Sequence, residues 1–166
     1  MQINQPWFRK GMIILLVLLN IGCDQISKEI VRKKVDSNAL IHVVQDKLIL
    51  TKVENKGAML GFGQDLPPWL KIPLLQIIPI VVLLVLLGSI LRKKNLNKWL
   101  VFAFACVIGG GIGNLIDRIA HGEVTDFFHI SIGPFKTGIF NMADVSVTLG
   151  VILIFFLTIR HKKFLF

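Results

Sequence analysis

The sequence predicts an all-α membrane protein: four transmembrane helices, both termini cytoplasmic, and a small extracytoplasmic β-hairpin or cradle. Three observations lead there. Of the 166 residues, 54% are apolar and 17% charged, with a mean hydropathy of +0.70. A soluble domain has about a quarter of its residues charged, and disorder needs low hydrophobicity, so neither class fits. The apolar residues gather in four segments. The net charge of +9 is segregated along the chain. In a soluble protein such an excess suggests nucleic acid; in a hydrophobic chain it marks topology, so no nucleic acid partner is expected.

The segments follow in order. The first is 11–23, extendable to about 31 if Asp24 and Lys28 are admitted. The second, 72–91, and the third, 99–116, carry no charge. The fourth, 137–159, is interrupted only by Asp144. A span needs about 20 residues. The expected spans are about 11–31, 72–91, 99–117 and 140–159, in a single domain over 1–166. Arg9-Lys10, the apolar run and Asn20-Ile21-Gly22-Cys23 resemble a cleavable signal with its processing box. Asn20 stands where an apolar residue is usual, and three spans follow, so a retained first helix is expected. Cys23 and Cys106 lie inside apolar runs and read as small buried hydrophobes rather than a disulfide or metal pair.

The charges orient these spans. Arg9, Lys10, Arg92, Lys93, Lys94, Lys98, Arg160, Lys162 and Lys163 are nine basic residues without one acid among them. The other ten basic residues share the rest of the chain with all ten acids. Lys and Arg near span ends mark the cytoplasmic face. The first and third connections therefore lie outside. The first holds a β-rich region over about 38–63: 39–44 and 48–54 flank the turn Gln45-Asp46. Asn55-Lys56-Gly57-Ala58, Gly61, Gly63 and Pro67-Pro68 then suit irregular backbone near a site. The third connection, 118–136, is too short for a domain.

Ionisable residues inside spans are functional candidates. At ~1.5 Å per residue, Asp24 lies about 21 Å from Lys10, Asp117 about 28 Å from Lys98, and Asp144 about 24 Å from Arg160. All three fall at one level, in the outer part of a hydrocarbon core about 30 Å thick. Asn114 and Asn141 sit within a turn of Asp117 and Asp144, and Asp126 can fold back to that level. Structural roles compete: Asp24 with Lys28 at i+4 reads as a local ion pair, and Asp117 with Arg118 as another. Asp126 and Asp144 lack a basic neighbour. Two carboxylates brought together near apolar groups split, one keeping a proton and one staying ionised. The ionised one can activate water and the protonated one can donate to a carbonyl.

Other chemistries find little support. HExxH, GxSxG, CxxC and GxxxxGK[ST] are missing from the sequence. His42, His121, His129 and His161 have no tight ligand spacing, although His121 and His129 flank Asp126. No metal or cofactor is expected. Gly109-Gly110-Gly111 with Gly113 reads as close helix packing. From the residues alone two rivals stay open: a small four-span transporter using Asp24, Asp117 and Asp144 as an ion relay, and a non-catalytic scaffold.

Five motifs now stand in order: Asp24-Gln25-Ile26-Ser27-Lys28 (DQxxK), Asn55-Lys56-Gly57-Ala58 (NxGA), Gly109-Gly110 through Gly113-Asn114-Leu115-Ile116-Asp117-Arg118 (GGxxGNxxDR), Val124-Thr125-Asp126-Phe127 (VxDF) and Phe140-Asn141-Met142-Ala143-Asp144 (FNxAD). Together, over about residues 10–160, they resemble the lipoprotein signal peptidases (signal peptidase II) of bacteria. The resemblance implies a multi-pass aspartic endopeptidase of the bacterial inner membrane. Its site would face the extracytoplasmic side and cut diacylglyceryl-modified prolipoproteins just before the lipidated cysteine. It implies Asp126 and Asp144 as the catalytic pair. Asn55, Gly57, Asn114, Arg118 and Asn141 fall on positions lining the substrate site, and Asp24, Lys28 and Asp117 on supporting positions. Membrane lipid and globomycin-type inhibitors are the other implied partners. Two departures stand out. Met59-Leu60 replace a small residue and Phe, which bears on the substrate-facing loop. Val145 replaces Ser, which puts a hydrogen bond beside Asp144 in doubt.

Overall fold

The computed structural model describes residues 6–37 and 39–160. Lys162, Lys163 and His161 lie outside them, as does Asn38 at the edge of the expected β region.

Helix α1 spans Pro6–Lys34, α2 Pro68–Ile72, α3 Ile78–Arg92, α4 Lys98–His121 and α5 Met142–Arg160. Four helical stretches, Trp7–Lys34, Pro68–Arg92, Lys98–His121 and Met142–Arg160, are long and apolar enough to cross a membrane. The second begins earlier than its apolar run, because α2 continues through a π-helical turn, Pro73–Ile77, into α3. Pro73 and Pro79 have no N–H to donate to the residue four back, so the ladder locally widens. Helix α4 starts at Asn97, whose side chain accepts the Trp99 N–H, and stops at Gly122 with φ +78°. The fourth span starts at Met142, close to the expected 140, and the apolar residues before it stay outside the helix because Phe140 bridges to Phe128 of a strand.

Helix α4 is the centre. It buries 56% of its most apolar window, against 11–17% for the other three stretches. Its small residues permit this. A Cβ on Gly109 would meet Asn20 of α1 at 2.5 Å, and one on Gly113 would meet Asp24 at 2.5 Å. Small residues let backbones approach where lipid supplies no hydrophobic drive. Ile13, Val17, Leu83, Ile90, Ala105 and Ile108 form the main core. Leu18, Leu19, Leu84, Val85, Phe155 and Phe156 point away from the bundle. Cys106 is buried as expected, but Cys23 is exposed: it lies on the outward face of α1, where an apolar surroundings of lipid replaces a protein core.

The β element is larger than a hairpin. Strands β1 (Ile41–Val44), β2 (Leu48–Asn55), β3 (Val124–Ile132) and β4 (Phe135–Lys136) form one antiparallel sheet in that order. The expected hairpin is β1–β2, with Gln45 at φ 46° in its turn. The third connection, short as it is, supplies β3 and β4. Strand β3 pairs with β2 in the register Val53↔Asp126 and Asn55↔Val124. The register slips between Leu50 and Val53. Such a bulge bends a strand and re-aims its side chains. Val31, Val35 and Phe127 close a second core between α1 and the sheet.

Candidate active site

Asn141 and Asp144 are placed by the start of α5. Asn141 precedes the helix, and its Oδ1 accepts the Asp144 N–H at 3.0 Å. Asp144 Oδ2 accepts the Asn141 N–H at 3.1 Å in return. This is a reciprocal capping box, with the acid at the third helical position. The FNxAD spacing thus fixes one carboxylate by local backbone geometry alone.

Asp126 arrives from β3. Phe127 and Phe128 both donate their N–H to Phe140 O (3.0 and 2.8 Å), and Phe140 returns its N–H to Phe128 O at 2.9 Å. This bridge lays Asn141 beside Asp126. Asn141 Nδ2 donates to Asp126 Oδ1 at 2.6 Å, in full burial for the amide and 5% exposure for the acid. Asn55, at the end of β2, donates Nδ2 to Asp126 Oδ2 at 3.0 Å. The same amide accepts the Gly57 N–H (2.9 Å) and donates to Ala58 O (3.1 Å), so one residue holds both loop and carboxylate. Gly57 has no room for a side chain: a Cβ would lie 2.6 Å from the Gly61 backbone. Its carbonyl accepts from Arg118 Nη2 at 2.9 Å.

Burial pushes the Asp126 carboxyl up, to about 6. The Asn55 N–H opposes this, the Asp144 charge adds to it, and Asn141 and Lys28 pull it back down. Asp126 and Asp144 are thus electrostatically coupled, and Asn141 touches both.

Helix α4 contributes Asn114, whose Nδ2 donates to Asp144 Oδ1 at 2.8 Å. Its Oδ1 accepts from Asn141 Nδ2 (3.0 Å) and Lys28 Nζ (2.9 Å). Lys28 also pairs with Asp24 at 2.8 Å and Asp117 at 2.9 Å, all three side chains fully buried. Arg32 Nη2 lies 2.8 Å from Asp117 Oδ1, near enough for an ion pair. Asp24 Oδ1 accepts the Ala143 N–H at 2.9 Å, which ties α1 to the first turn of α5.

All ten residues singled out in the sequence therefore meet at one end of the bundle. The local Asp24–Lys28 pair is present but belongs to a larger cluster. The Asp117–Arg118 pair is not formed. Neighbours on a helix diverge, so Asp117 turns inward to Lys28 and Arg32 while Arg118 turns to the Gly57 loop. Val145 leaves no gap at Asp144, since Asn114 and the Asn141 N–H already serve both carboxylate oxygens. The hydroxyl one place on, Ser146, bonds Asn20 and Cys106 O instead. Met59 is 84% exposed on its loop. His129, an odd number of residues from Asp126 along β3, faces the other way, towards a cavity with Leu40, Ile49, Thr51 and Thr137. Among the described residues, no three His, Cys, Asp or Glu side chains cluster to hold a metal ion.

Sequence reasoning missed four residues of the network. Gln25 donates to Asp24, Gly113 O and Asp117. Arg32 also donates Nε to Thr125 at 2.8 Å, and Thr125 donates to Glu54 at 2.9 Å. Gln25 and Thr125 stood inside recognised motifs. Arg32 lies two helical turns from Asp24, a spacing that carried the signal.

The family model described as Signal peptidase (SPase) II matches residues 15–160. Two solved structures are similar to the chain, both described as bacterial membrane enzyme structures by the in meso method. The one at 2.3 Å resolution has a TM-score of 0.82 and 31% identity, covering 92% of this chain and 90% of its own. The one at 1.9 Å has a TM-score of 0.79 and 31% identity, covering 90% and 94%.

Proposed function

The chain belongs to the signal peptidase II family, a family of membrane aspartic peptidases that cleave lipoprotein signal peptides, and from that premise we propose that Asp126 and Asp144 are its catalytic pair. One observation carries this reading: Asn141 bonds both carboxylates at once, Asp126 through its side chain and Asp144 through its backbone N–H.

The pair works with one proton between its members. The ionised carboxylate takes a proton from water as the water oxygen bonds the scissile carbonyl carbon. The protonated carboxyl gives its proton to the carbonyl oxygen, leaving a neutral tetrahedral diol. Collapse breaks the C–N bond, sends a proton to the leaving nitrogen and leaves a carboxyl on the signal peptide. Asn55, Gly57, Asn114, Arg118 and Asn141 border the reacting bond. Arg118 and the Gly57 loop give the substrate backbone polar partners that lipid lacks. Asp24, Lys28 and Asp117 support them from below.

The single domain sits in the bacterial inner membrane with both termini cytoplasmic and the site towards the extracytoplasmic face. Arg9 Nη2 bonds Ile90 O, so the basic start of α1 and the basic end of α3 share one end of the bundle, opposite the acids. That supports the orientation, because basic span ends face the cytoplasm. The sheet then forms the extracytoplasmic cradle. The substrate is a diacylglyceryl-modified prolipoprotein cut just before its lipidated cysteine, its acyl chains in the bilayer. Globomycin-type inhibitors occupy the same site. The test is Asp126→Asn and Asp144→Asn, each assayed in detergent on a lipidated prolipoprotein. Loss of cleavage in both at unchanged protein level supports the pair; full activity in either sinks it.

A further inference from the structure

Lys28 is a fully buried lysine that touches neither proposed catalytic carboxylate. Its three N–H bonds have three acceptors: Asp24, Asp117 and Asn114 Oδ1. The third is the informative one. A primary amide is nearly the same shape in either orientation, but opposite in hydrogen bonding. At Asn114 the choice is forced. Two donors, Lys28 Nζ and Asn141 Nδ2, converge on Oδ1 at 2.9 and 3.0 Å. A flipped amide would set its NH2 against an ammonium and another NH2. The unflipped amide must therefore present N–H to Asp144 Oδ1, as it does at 2.8 Å.

An N–H aimed at that oxygen makes it an acceptor. A carbonyl aimed there would instead call for a proton on Asp144. We propose that Lys28 is a positioning residue that locks the Asn114 amide, and so holds its N–H on Asp144 Oδ1 and keeps that oxygen an acceptor. The proposal rests on the catalytic-pair reading. Besides Lys28, the charged groups around the pair are Arg118 and Asp117 from α4 and Asp24 and Arg32 from α1; Glu54 of β2 bonds Thr125 on the other face of the sheet. Asp24, Asp117, Lys28 and Arg32 sum to zero, so the cluster can be altered in balanced steps.

The test is Lys28→Met combined with Asp24→Asn, which keeps that sum at zero. Asparagine at position 24 can still accept the Ala143 N–H. The full-length enzyme in detergent is assayed on a lipidated prolipoprotein across pH. With the lock gone, kcat falls at least about tenfold, KM changes less than about threefold, and the limbs of the pH profile move to higher pH. Adding Asn114→Ala to this double variant then costs little more, although Asn114→Ala alone costs about tenfold or more, because the two residues act as a unit. An unmoved pH profile, or fully additive losses, would overturn the proposal. If the double variant does not fold, Asn114→Asp decides: it keeps an acceptor for Lys28 and removes the donor to Asp144. Retained kcat there overturns the proposal, and lost kcat with unchanged KM and Tm supports it. Activity surviving in Asp126→Asn or Asp144→Asn would instead sink the pair itself.

Discussion

Asn141→Ala tests the arrangement most directly, because it removes three interactions and spares one. Lost are the Nδ2 donors to Asp126 (2.6 Å) and Asn114 (3.0 Å) and the Oδ1 acceptor for the Asp144 N–H (3.0 Å). Spared is the backbone N–H to Asp144 Oδ2. Loss of an N-cap costs ~1 kcal/mol. A hydrogen bond to a charged group is worth roughly 1.5–3 kcal/mol, and a neutral one about 0.5–1.5 kcal/mol. Asn114 Oδ1 keeps Lys28, so the third loss falls at the low end. The variant should lose about 3–5 kcal/mol of stability, less if water fills the gap. The pH profile carries the sharper signal. Asp126 is already raised to about 6, and the Asn141 N–H opposes that rise. One pH unit corresponds to ~1.4 kcal/mol, so losing a bond worth that much raises Asp126 by about one unit more. The pair loses its working proton as pH rises through this value, so the upper limb of kcat/KM should move up by about one unit. The assay is cleavage of a lipidated prolipoprotein from pH 4 to 9 in one detergent. An upper limb that stays in place or moves down would refute the reasoning.

Asp126→Asn should change how stability depends on pH. A carboxyl raised from 3.8 to about 6 binds more protons folded than unfolded between those values, so wild-type stability falls as pH rises through that window. The variant lacks this dependence, and the Tm difference, variant minus wild type, should become more positive from pH 4 to 6 and then level off. Single Lys28→Met should destabilise by about 3–5 kcal/mol, because Asp24 and Asp117 stay buried with one partner fewer; thermal unfolding in detergent measures this. Gly57→Ala should cost activity more than stability. Its Cβ would lie 2.6 Å from backbone atoms of Gly61, so the loop must open and withdraw the Gly57 carbonyl from Arg118. The expected result is a KM raised several-fold with Tm within a few degrees.

The helices were legible because apolar length is a strong signal, and the common depth of Asp24, Asp117 and Asp144 followed from counting residues. Their meeting in one cluster bears that count out. The sheet was half legible. β1 and β2 are joined by a local turn, but β3 pairs with β2 across some seventy residues, and periodicity carries no information about distant partners. The partner of Asp117 stayed open for a related reason. Adjacency in sequence suggested Arg118, whereas helical geometry sends adjacent side chains apart and leaves Lys28 and Arg32, on another helix, to pair with Asp117. Cys23 shows a limit of composition: in a membrane chain an apolar run does not say which face meets protein.

The cluster also explains why the cations stand where they do. Among the described residues, every hydrogen bond to the four oxygens of Asp126 and Asp144 comes from a neutral donor: Asn55, Asn114, the Asn141 side chain or its backbone N–H. Lys28 and Arg32 are spent on Asp24 and Asp117, which serve no acid chemistry of their own. A lysine placed directly on Asp126 or Asp144 would hold that carboxylate ionised far below neutral pH. A pair that shares one proton, as proposed for Asp126 and Asp144, cannot tolerate such a partner. Amides orient a carboxylate without supplying a full charge, so they fix geometry and leave its proton affinity near the working range. The network thus separates two tasks. Asp24 and Asp117 balance the buried cations that pin the helices together, and Asn114 passes only the orientation of Lys28 to Asp144, at the cost of one neutral hydrogen bond.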